Sequence, residues 1–111
     1  MKTKFSIVLC LALTACSTSS LESKVPVFSG HTQKDIDSVN RCLAPKWAEL
    51  RSSSSSIPTE TGYKIIASDD IFGAISTATV DKSKNGGSDV KVYSLSKGWN
   101  DPWGNAARSC M

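Results

Sequence analysis

The chain has 111 residues, with 13 Lys and Arg against 10 Asp and Glu, and a formal net charge of +3. Two of the basic residues and none of the acidic ones lie in residues 1–15, so residues 16–111 carry 11 positive side chains against 10 negative ones. Such a near-balance excludes the strong basic footprint of a nucleic-acid binder.

Met1-Lys2-Thr3-Lys4 opens the chain with two positive charges, and Phe5 to Leu13 is apolar except for Ser6. A charged start, a short apolar run and small residues at its exit describe a secretory signal. The run holds 9 residues, whereas a membrane-spanning helix needs about 20, so residues 1–15 are expected to be exported and cut away. Leu13-Thr14-Ala15-Cys16 resembles the lipobox of bacterial lipoproteins. The resemblance covers the first 16 residues only. It implies that Cys16 is lipidated and becomes the first residue of the mature protein. It also implies, because Ser17 rather than Asp follows, delivery to the outer membrane. Several acyl chains on one residue hold firmly where one chain holds only marginally. The membrane, reached through Cys16, is therefore the first expected partner.

Residues 16–31 are rich in Ser, Thr and Lys, with Pro26 and Gly30 as breakers, and read as a flexible tether. Val25, Val27 and Phe28 stand out and can dock on the domain as a short extended piece. The folded domain is expected over 32–111. Thr32 to Asp35 is spaced as a helix start. Ile36, Val39, Leu43, Trp47 and Leu50 then fall on one helical stripe. Arg41, Lys46, Glu49 and Arg51 belong to the solvent side. Pro45 removes one helical hydrogen bond and predicts a kink, or two short helices sharing a face. Ser52 to Ser56 is five serines and reads as a loop.

From Gly62 the period changes. Gly62–Ser68 reads as a strand. Phe72–Val80 reads as another, with Phe72, Ala74, Ala78 and Val80 on one face and Thr77 and Thr79 on the other. Asp69-Asp70 is turn material between them. Ser83 to Ser88, containing Asn85-Gly86-Gly87, is a hairpin signal, and Val90–Leu95 is the returning strand. Asp101 caps a short final helix. Pro102 takes its first position, and Trp103, Ala106, Ala107 and Cys110 share a face. Gly104 weakens it. The expected fold is α+β: an N-terminal helix, kinked or divided at Pro45, a three-stranded antiparallel meander and a short C-terminal helix, with both helices on one sheet face.

Of four cysteines, Cys10 leaves with the signal and Cys16 takes lipid. Cys42 and Cys110 remain, in a compartment where disulfides persist, and two thiols allow a single intramolecular pairing. A Cys42–Cys110 bridge is predicted. The sequence has no CxxC pair, and the single histidine, His31, cannot complete a four-ligand zinc shell. No metal site or cofactor is expected.

The residues offer little chemistry. His31 stands at the edge of the tether beside Gly30, poorly placed for a rigid catalytic base. Asp69 and Asp70, neighbours on a turn, are badly placed to face each other across a scissile bond, and Ile71 and Phe72 follow where calcium would want oxygen ligands. Asn85-Gly86-Gly87 lacks the lysine and serine of a phosphate loop. Trp47 belongs to the helical stripe, while Trp99 and Trp103 flank a turn and are the candidate partner-binding residues. The expected role is non-enzymatic: an outer-membrane envelope lipoprotein that binds an envelope protein or a cell-wall component, facing the periplasm. An exclusion or inhibitor lipoprotein is a variant of this role. A small periplasmic hydrolase using a serine or the Asp69-Asp70 pair is the rival from another class.

Overall fold

A computed structural model describes residues 20–96 and 98–111. The signal segment 1–15 and Cys16 lie outside the described residues. The elements in chain order are β1 (Phe28–Thr32), α1 (Ile36–Leu50), β2 (Ser55–Pro58), β3 (Gly62–Asp69), β4 (Gly73–Lys82), β5 (Ser88–Ser94) and α2 (Pro102–Ser109). The strands form one antiparallel sheet in the order β1-β5-β4-β3-β2.

The predicted meander β3-β4-β5 is the centre of this sheet, but three strands become five. One added edge, β1, comes from the segment read as tether and the helix start. The other, β2, comes from the serine run read as a loop. Ladder pairing uses backbone groups that every residue but proline carries, so a serine-rich segment lacking the usual alternation can still form an edge. Pro58 ends β2 at the sheet margin, where a missing N–H is tolerated.

Cross-strand register sorts the two faces. Phe28, Val92, Ala78 and Ile65 lie in one row and Gly30, Val90, Val80 and Tyr63 in the next. Both helices cover this face, α1 over β2, β3 and β4, and α2 over β5 and β1. Val39, Leu43 and Trp47 from α1 and Ala107 and Cys110 from α2 join Ile65, Ala67, Ala78, Val80, Val90 and Val92 in one buried core. Complete burial of each large aliphatic side chain contributes about 1.5–3 kcal/mol.

One continuous helix passes through Pro45, in place of two short ones. Its N-cap is Asp35, whose side chain accepts from the Ser38 N–H at 2.7 Å. Thr32 instead closes β1, with its hydroxyl accepting from the Lys34 N–H at 3.3 Å. Phe72 leaves the predicted strand face. It lies in the β3–β4 turn, because Asp69 Oδ1 accepts from the backbone N–H groups of both Ile71 and Phe72, and a register shift follows Ala67.

The second sheet face is crossed by the chain that leads into β1. Ser20–Glu22 is helical, Leu21 is buried, and Glu22 pairs with Lys64 at 2.8 Å. Among the described residues no helix is long and apolar enough to cross a membrane.

Candidate functional site

Cys42, in the middle of α1, is bonded to Cys110, the residue that closes α2, across 68 residues of sequence. The bridge ties together the two helices that cover the core face, as the local readings of both segments required. Cys110 is buried and Cys42 is partly so.

The two tryptophans singled out by the sequence part company. Trp103 is half-buried and packs edge-on against Trp47, with ring centroids 4.7 Å apart and planes at 67°. That is the preferred geometry for an aromatic pair in a core, so Trp103 is part of the packing. Trp99 is 97% exposed. The turn between them is organised by Asp101, which sits in the left-handed region at φ 43 and is buried. Its carboxylate accepts from the Gly104 N–H at 3.1 Å and its carbonyl from the Asn105 N–H at 2.9 Å. Asp is one of the few L residues that visit this region routinely.

His31 is held more firmly than a tether residue. It lies in β1 opposite Asp89 of β5, and its Nδ1 is 2.9 Å from the Asp89 carboxylate. A carboxylate orienting an imidazole is two-thirds of a hydrolytic triad. The other ring nitrogen, however, is 3.2 Å from Gln33 Nε2 rather than from a hydroxyl. The pair is an exposed cross-strand contact.

The Asp69-Asp70 pair is turn chemistry. Asp69 is tied by the two backbone N–H groups of its own turn, and Arg51 reaches its other oxygen at 3.5 Å. The hydrogen bonds from Ile71 and Phe72, with Arg51 adding a smaller effect, hold its carboxyl below the ordinary value. A general acid at neutral pH needs the opposite shift. Asp70 is exposed beside it. Among the described residues no group of three His, Cys, Asp or Glu side chains is placed to hold a metal ion.

A feature the sequence reading missed is the grouping of exposed apolar side chains. Val25, Leu50, Ile57, Ile71, Phe72, Leu95 and Trp99 are exposed, and the topology brings all but Ile57, which lies in β2 opposite Lys64, toward one end of the sheet. Ile71 and Phe72 form the β3–β4 turn. Leu95 ends β5 and donates its N–H to the Ile75 carbonyl at 2.9 Å. Trp99 follows four residues later. Val25 precedes β1, which starts where β5 finishes. Leu50 ends α1 beside Arg51, whose contact with Asp69 places it at the same end. The available signal was the apolar pair Ile71-Phe72 in the middle of an acidic turn. The opposite end is polar, with Gln33, Lys34, Thr59, Glu60, Lys84 and Asn85 exposed.

Compared with family models, curated proteins and solved structures, the chain matches none.

Proposed function

We propose that this protein is a small envelope lipoprotein, held by acyl chains on Cys16 at the periplasmic side of the outer membrane, and that it works as a non-enzymatic binding or structural module. The observation that carries this reading is the Cys42–Cys110 bond. Beyond residues 1–15, it uses both cysteines other than the one in the lipobox-like Leu13-Thr14-Ala15-Cys16. A protein with that bridge suits an oxidising compartment, which is where a signal of this kind delivers. The exposed contact residue is Trp99; Trp103, packed on Trp47, supports the fold beneath it.

The test is the intact mass of the protein isolated from its native host, before and after reduction and thiol alkylation. The expected result is residues 16–111 plus acyl chains, with no alkylation before reduction and two sites after it. An unlipidated mass overturns the anchor. Alkylation without reduction overturns the oxidising compartment.

A further inference from the structure

We infer that Ser20–Glu22 is a releasable strap across the sheet face opposite the helices, and that its docking sets the length of free chain between Cys16 and the folded body. The strap stands on the contacts of this segment alone. The leash length rests in addition on the reading of Cys16 as the lipidated residue.

The course of the chain shows the strap. The Val27 N–H donates to the Val92 carbonyl of β5 at 2.8 Å, so from Val27 onward the chain belongs to the sheet. Five residues earlier, the Glu22 carboxylate lies 2.8 Å from the Lys64 ammonium of β3. In the strand order β5 and β4 lie between β1 and β3, so residues 22–27 cross both. Strands lie about 4.8 Å apart, and three steps of about 14 Å are within reach of five residues.

Thr77 of β4 marks what the crossing covers. It is paired with Ile66 and Tyr93, in the row next to Ile65, Ala78 and Val92. Those three belong to the core, so Thr77 points to the opposite face. Lys91 on that face is exposed, yet Thr77 is 0% exposed, and Leu21 of the strap is 2% exposed.

The attachment is slight enough to open. It consists of one apolar side chain and one ion pair whose side chains are each about a quarter exposed. A single helical turn does not persist alone. Docking also leaves the Thr77 hydroxyl buried without a hydrogen-bond partner, and opening returns it to water. With the strap closed, five residues separate Cys16 from Leu21, a reach of at most about 17 Å. With it open, eleven residues separate Cys16 from Val27, a reach of about 37 Å. The strap thus gives the body two distances from its anchor.

The experiment uses the full protein extracted with its acyl chains and reconstituted into phosphatidylcholine vesicles that carry dansyl-labelled headgroups. Trypsin cleavage after Lys24 reads the strap, and cleavage after Lys84, in the distant β4–β5 hairpin, reads the integrity of the body. Leu21→Ala is expected to speed the Lys24 cut about tenfold or more, since the rate follows the open population, with the Lys84 cut unchanged. Lys64→Glu is expected to act in the same direction, and Lys64→Arg to keep the slow rate. Should Leu21→Ala loosen the body as well, the two Lys64 variants decide. Equal Lys24 cleavage in wild type and Lys64→Glu overturns the strap. Before cleavage, energy transfer from the tryptophans to the dansyl groups is expected to fall in Leu21→Ala and Lys64→Glu as the leash lengthens. Faster cleavage with unchanged transfer overturns the leash and keeps the strap. Intact mass reads the anchor separately: a sample without acyl mass overturns the anchor reading and the leash with it, while cleavage still reports the strap.

Discussion

Asp101 and Gly104 act as one unit at the start of α2. Asp101 is the one non-glycine residue with positive φ among the described residues, and its carboxylate folds back over Gly104. A Cβ on Gly104 would collide with that carboxylate. The glycine read from sequence as a weakness is therefore a condition of the cap. Gly→Ala within a helix usually gains up to about 1 kcal/mol. Here Gly104→Ala is expected to lose about 1–3 kcal/mol, the ordinary range for overpacking, as a lower urea midpoint. A gain in midpoint would show that the cap can open without penalty. The second residue-scale effect is acid sensitivity. The hydrogen bond from the Ser38 N–H holds the Asp35 carboxyl below its ordinary value, and the turn N–H groups do the same for Asp69. In both cases the folded state favours the ionised form. The associated stability is present above the unfolded value of 3.8 and is lost as pH falls through the lower folded values. Replacing Asp35 with Ala should lower stability at neutral pH and flatten the acid limb of the stability curve. The check is a set of urea midpoints between pH 2 and pH 7.

At the scale of elements, what the sequence disclosed follows how much each segment relies on side-chain pattern. The stripe Ile36, Val39, Leu43 and Trp47 marked α1 because a helix on a core must repeat its apolar residues at that spacing. Strands β3, β4 and β5 showed through their alternation and through the glycine turn between the last two. The edge strands carry no such pattern. In β1, Ser29 and His31 face away from the core between Phe28, Gly30 and Thr32, and only Thr32 is buried. In β2 the burial is slighter still, and its attachment is a hydrogen bond at 2.6 Å from the Ser56 hydroxyl to Asn40 Oδ1 of α1. A contact between residues 16 apart in sequence leaves no periodic trace. The placing of apolar side chains toward one end was hidden for the same reason, since Leu50, Phe72 and Leu95 reach that end only through sheet order. The link between β2 and α1 can be measured directly. A double-mutant cycle on Asn40→Ala and Ser56→Ala should give a coupling of about 0.5–1.5 kcal/mol. A coupling of zero would mean that β2 is held by its ladder with β3 alone.

For the whole molecule, the decisive term is the Cys42–Cys110 bond. A loop of this length is worth about 4 kcal/mol in the chain-entropy account, against a total of about 5–15 kcal/mol for an ordinary domain. The effect should also be uneven. The final helix spans 8 residues, too few to persist alone, and it is packed on β1 and β5 while α1 covers β2, β3 and β4. Arg108 stacks on the Phe28 ring at 5.2 Å, so β1 depends on α2 in turn. Breaking the bridge therefore releases one side of the two-layer body first. Replacing Cys42 and Cys110 together with Ala should cost about 4 kcal/mol in urea unfolding. Native-state hydrogen exchange should show amides of β1 and α2 opening well below the global free energy, with β3 and β4 exchanging only through complete unfolding. If all strands instead lose protection equally, the bridge acts on the unfolded chain alone, and the two halves of the sheet form a single cooperative unit. If β1 and α2 open early, the bond is what holds this side of the body to the core. Reduction would then release β1 and α2 before it unfolds the rest.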